Sequence, residues 1–103
     1  MSDSKKAYDI VVHDDASQML LNHVRFLANV SIPAARRLRA SLHKGLSSLK
    51  SMPHRCPVFS TRRTADTYRQ LIIGRYLVVF SIDENKETVN IRYILDSRQD
   101  NDI

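Results

Sequence analysis

Arginine and histidine are the side chains through which this chain could do chemistry. Eleven of its sixteen Lys and Arg residues are arginine, and it has four histidines. A guanidinium is a planar fork that pairs with phosphate or carboxylate, and an imidazole moves protons near neutral pH. The cations are concentrated. Residues 25–75 hold Arg25, Arg36, Arg37, Arg39, Lys44, Lys50, Arg55, Arg62, Arg63, Arg69 and Arg75 against Asp66 alone, while both flanks are net negative. Such a field attracts an anionic partner: RNA, DNA or an acidic protein segment. A solvated helix face explains the same charges equally well, so charge names a class of partner and no partner.

Within the basic span, His54 and Arg55 stand between Pro53 and Pro57, whose rings stiffen the backbone. His54 is the candidate proton carrier, although packing against a helix end is the plainer role. Cys56 lies beside it, but one His-x-Cys pair is too little for a metal or nucleophile site. A buried thiol is expected. His43 reads as a helix-face residue, and His13 and His23 have no visible partner. No metal or other cofactor is expected.

These groups need elements to hold them. Residues 8–12, rich in β-branched side chains, read as a first strand. Asp14 and Asp15 offer an N-cap and favourable first-turn charge. From there Ala16, Met19, Leu20, Val24, Leu27 and Val30 recur at helical spacing, with Phe26 beside them. A second helix starts near Ser31, a plausible cap, with Pro33 in its first turn. Its stripe of Ala35, Leu38, Leu42, Leu46 and Leu49 reaches Met52, and Pro53 ends it. So short a link makes the two helices an antiparallel hairpin.

After a polar loop over residues 53–66 come three strand-like runs, 67–73, 75–82 and 88–95. Their short links predict antiparallel hairpins. In the middle run Tyr76, Val78, Phe80 and Ile82 should face the helices, leaving Leu77, Val79 and Ser81 outward. In the last run Val89, Ile91, Tyr93 and Leu95 should form the apolar face. The fold class expected is α+β, ordered β-α-α-β-β-β, with a helical hairpin on one face of a small antiparallel sheet. One domain over residues 1–103 with frayed ends fits the length. The longest apolar stretch, residues 76–80, is far short of the roughly 20 residues a membrane span needs. With one cysteine, no internal repeat and no signal-peptide pattern, the expected compartment is the cytoplasm.

Several motifs in this order resemble the RelE/ParE toxin superfamily of type II toxin–antitoxin systems and plasmid stabilisation proteins. Ala34-Ala35-Arg36-Arg37-Leu38 with Leu49-Lys50-Ser51-Met52-Pro53 is similar to the family's second helix and its end. Tyr68-Arg69-Gln70-Leu71 followed by Gly74-Arg75-Tyr76-Leu77-Val78-Val79-Phe80 resembles its central strand pair, and residues 94–100 its closing segment. Met52-Pro53-His54-Arg55-Cys56-Pro57 resembles one branch of its members. The resemblance covers about residues 7–100.

It implies a growth-inhibiting toxin neutralised by a cognate antitoxin, as a toxin–antitoxin hetero-oligomer or with a homodimer. Two actions remain open: ribosome-associated mRNA cleavage without a metal, or non-enzymatic inhibition of DNA gyrase. An inactive chain retaining only antitoxin binding is a third. For cleavage, the residues carried over are Arg69 and Arg98, with His54 of the loop as the candidate that could supply the missing proton carrier. Leu71 and Leu77 stand where the family's nuclease branch has cations, a departure, since leucine neither holds a phosphate nor moves a proton. Arg55, Arg62, Arg63, Arg75 and Arg92 are candidates for contact with RNA or another target. Arg36, Arg37 and Arg39 are candidates for contact with the antitoxin.

Overall fold

A computed structural model describes residues 7–59 and 67–97. The elements are β1 (Asp9–Val12), α1 (Asp14–Ala28), α2 (Ile32–Ser48), a 3-10 helix (Pro53–Arg55), β2 (Val58–Phe59), β3 (Tyr68–Ile73), β4 (Tyr76–Asp83) and β5 (Thr88–Asp96). Two helices cover one face of a five-stranded sheet ordered β1-β5-β4-β3-β2. The expected α+β class and hairpin-on-sheet arrangement hold.

The sheet is mixed, where a purely antiparallel one was expected. The α1–α2 crossover returns the chain across the sheet, and β1 lies parallel to β5, Asp9 opposite Thr88 and Val12 opposite Ile91. The loop over residues 53–66 also carries more structure than its composition suggested. Val58 and Phe59 pair with Arg69 and Tyr68 as a fifth strand, and two residues are too few to show a period.

Local chemistry explains the helices. Ser31 caps α2 through a 3.2 Å hydrogen bond that its hydroxyl accepts from the Ala34 amide, worth about 1 kcal/mol. Helix α1 has His13 at its N-cap position without a side-chain bond, while Asp14 and Asp15 sit in the first turn where the helix dipole favours them. Helix α2 stops at Ser48, a turn earlier than expected. Met52 takes the left-handed conformation, φ 52°, and Pro53 opens the 3-10 helix, where its missing N–H costs nothing. Met52 is therefore exposed instead of extending the apolar stripe.

The core lies between helices and sheet. Leu42 and Leu49 meet Val78, Phe80, Val89, Ile91 and Ile94, all essentially inaccessible. Gly45 lets α2 settle on β3, because a Cβ there would run into Ile73. Val30, expected in the α1 stripe, lies past the helix end and is exposed, as is Phe26. No described helix is long and apolar enough to cross a membrane.

A β-bulge changes the last strand. Phe80 lies opposite Ile91 and Val79 opposite Tyr93, so Arg92 has no partner in the ladder. One extra residue reverses the alternation beyond it. Val89 and Ile91 face the helices as expected; beyond Arg92 it is Ile94 and Asp96 that are buried, and Tyr93 and Leu95 turn to the other face.

Candidate functional site

Cross-strand partners share a face, so the register sorts the candidate residues. Arg69 lies opposite Phe80, Leu71 opposite Val78 and Ile73 opposite Tyr76, and all three β4 residues belong to the core. Arg69 and Leu71 are therefore on the helix side. The side away from the helices carries Gln70, Val79 and Tyr93 in one row and Ile72, Leu77 and Leu95 in the next. Val79, expected outward, is on that side but fully buried, enclosed by its neighbours instead of exposed. Leu71 and Leu77 thus lie on opposite faces and cannot belong to one site. These central rows hold no cation.

Arg69 braces the loop before the sheet. Its Nη1 donates to the carbonyls of Cys56, at 2.7 Å, and His54, at 3.2 Å. It thereby ties the 3-10 helix to β3. Arg55 closes the end of α2: Nη1 donates to the Ser51 and Met52 carbonyls, both at 3.1 Å, and Nη2 to Ser48 Oγ at 2.9 Å. A cation there complements the last helical carbonyls. Cys56 is buried as expected. Burial pushes its thiol pKa up, with Arg55 and Arg69 pulling the other way.

His54 comes together with two residues that sequence reasoning missed. Its Nε2 contacts a Glu84 carboxylate oxygen, and the Tyr8 hydroxyl donates to the other oxygen at 2.8 Å. The Tyr8 and His54 rings meet edge to face at 6.0 Å. Glu84 belongs to the turn between β4 and β5, where an acid reads only as solubilising. This trio joins three distant segments, and no spacing signals it.

The Glu84 hydrogen bond, then burial, then the charges of Glu84 and Glu87 raise the Tyr8 pKa above its ordinary value. A raised phenol pKa means the folded state holds the proton longer. Its stabilising contribution is complete below pH about 10 and disappears as pH rises through the folded value. Glu84→Gln should therefore move one tyrosine ionisation toward the free-phenol range in an alkaline absorbance titration. An unchanged titration would remove the Tyr8–Glu84 bond from the account.

The remaining candidates are dispersed. Arg75 lies over the Tyr76 ring, 5.5 Å from its centroid, with Nε 4.0 Å from Asp96. Arg92, at the bulge, lines a pocket of about 400 Å³ with Tyr93, His13, Asp14 and Asp15. The two histidines without visible partners have them: His13 meets Asn90 Oδ1 at 3.1 Å and His23 the Ile94 carbonyl at 2.7 Å. Arg62, Arg63 and Arg98 lie outside the described residues. Among the described residues no group of His, Cys, Asp or Glu has the arrangement of a metal site.

The helical hairpin has a feature of its own. An open groove of about 920 Å³ runs between α1 and α2, lined by Leu20, Leu21 and Val24 on one side and Leu42 and Leu46 on the other. Arg36, Arg39 and His43 line it too. Arg37 does not. An apolar groove bordered by cations is complementary to an amphipathic helix with acidic flanks.

No curated protein matches the chain. A solved toxin–antitoxin complex, RelBE2 from Mycobacterium tuberculosis, is similar at 21% identity with a TM-score of 0.62, covering 92% of this chain and 97% of that one. At that identity the likeness speaks for the fold. The family of ParE toxins of type II toxin–antitoxin systems matches residues 10–101, and with strand pairing, helical hairpin and sequence span all in agreement, the chain belongs to that toxin family.

Proposed function

We propose that this toxin arrests growth by binding a protein target, DNA gyrase being the one of the two open actions that needs no catalysis, and that it does not cut RNA. The observation that carries this is the uncovered sheet face. Its central rows present Gln70 and Tyr93, then Ile72, Leu77 and Leu95, around a fully buried Val79. Metal-free cleavage needs cations on the phosphate and a proton carrier at the 2′-hydroxyl. Among the described residues neither stands within those rows; the nearest, Arg92 and His13, line the pocket beside Tyr93. Arg69, the nearest candidate on the same strand, is turned to the helix side and spent on loop carbonyls. An apolar, uncharged surface suits contact with another protein.

An antitoxin partner accompanies membership of this family, and the α1–α2 groove suits it. We place there an amphipathic antitoxin helix whose apolar stripe meets Leu20, Leu21 and Val24 and whose acids meet Arg36 and Arg39. Inducing the toxin without antitoxin, and reading mRNA ends and DNA breaks in the same cells, tests the mode of action. Gyrase-linked breaks with intact transcripts are expected. Internal mRNA cuts that appear promptly on induction would overturn the reading.

A further inference from the structure

Helix α2 carries more positive charge than the groove uses. Arg36 and Arg39 line the groove, but Arg37 and Lys44 do not. Arg37, Ser41, Lys44 and Ser48 recur at helical spacing along one exposed side of α2. At Ser48 the stripe ends against Arg55, whose guanidinium is taken up by the Ser51 and Met52 carbonyls and the Ser48 hydroxyl. The stripe from Arg37 to Ser48 is about 16 Å long at a rise of 1.5 Å per residue.

These cations do nothing for the helix that holds them. Residues 32–48 include no acid, so no ion pair between neighbouring turns exists within α2. Arg37 and Lys44 make no hydrogen bond or ion pair among the described residues. The ligand chemistry follows from what surrounds them. An acidic amphipathic peptide needs an apolar cradle, which lies on the groove flank, whereas this side offers hydroxyls and cations. Hydroxyl and cationic side chains are the usual partners of phosphate oxygens. Single-stranded nucleic acid is commonly held by aromatic stacking, and α2 has no Phe, Tyr or Trp.

We infer that the exposed stripe of α2, Arg37, Ser41 and Lys44, is a sequence-independent contact for the phosphate backbone of duplex DNA. The choice of DNA over duplex RNA rests on the target proposed above, an enzyme that works on DNA. The stripe adds a second point of attachment, on the nucleic acid beside the protein target, and leaves the groove to the antitoxin.

The test uses the full chain and a fluorescent 20-base-pair duplex of arbitrary sequence, titrated across a salt series. Binding should weaken with salt. Arg37→Gln with Lys44→Gln should lower affinity at least tenfold and reduce the log–log salt slope by roughly 2, since each neutralised phosphate contributes about 0.9. Arg39→Gln, on the groove flank, should leave the slope unchanged. Thermal melting of each variant confirms that the fold is intact. Equal slopes for the double variant and the parent would overturn the inference. So would tighter binding of the single strand, an RNA duplex or a polyglutamate peptide. Failure of the gyrase reading is separately visible, as growth arrest without gyrase-linked breaks.

Discussion

Replacing Phe80 by alanine is expected to lower stability by about 3–5 kcal/mol, the usual cost of truncating a buried aromatic side chain. Phe80 is 0% exposed. It sits opposite Ile91 on one side and Arg69 on the other, beside the bulge and beneath the helices. Its removal would leave a void where the two layers meet. Domains of this size are stable by only about 5–15 kcal/mol, so the loss is a large share of the total. At about 4 °C or more per kcal/mol, melting should fall by at least about 12 °C. The urea midpoint should drop with its slope unchanged, which marks lost stability and not an altered unfolded state. Ile72→Ala, on a side chain 67% exposed, should change stability by no more than about 0.5 kcal/mol. A Phe80 variant that melts like the parent would contradict the core as described.

Reversing the charges at the groove, Arg36→Glu with Arg39→Glu, should weaken antitoxin binding about a hundredfold, equivalent to about 2.7 kcal/mol. Both arginines line the groove beside its leucines. Each reversal places like charge against the acids of the docked helix and removes the steering field that speeds encounter. The effect should shrink in high salt, because exposed charges are screened. Calorimetry or surface binding at two ionic strengths reads this directly. In cells, antitoxin supplied from a second promoter should no longer rescue growth from the variant toxin. Full rescue together with unchanged affinity would place the antitoxin elsewhere on the molecule.

The layout of this fold is largely legible in the chain. The stripes Ala35–Leu38–Leu42 and Tyr76–Val78–Phe80 carry periods of 3.6 and 2, and both proved to be buried faces. Pro33 and Ser31 mark the start of α2, and Gly74, at φ 59°, marks the β3–β4 turn. Arg92 marks where legibility stops. Nothing in residues 88–96 announces that one residue drops out of the ladder, yet that bulge exchanges Tyr93 and Leu95 for Ile94 and Asp96 on the helix side. Bulges come from the fit between neighbouring strands, and a strand read alone does not contain its neighbour.

The candidate site follows the same division. Composition by itself determined that the middle of the chain is cationic and rich in arginine and that Cys56 lacks an internal disulfide partner. Which way each arginine points was decided only in three dimensions. Pairing with β4 turned Arg69 toward the helices, the end of α2 claimed Arg55, and two packed helices split the α2 cations between groove and outer stripe. The reason is physical: charge is a property of a residue, whereas availability depends on carbonyls, faces and grooves contributed by segments far away in the chain.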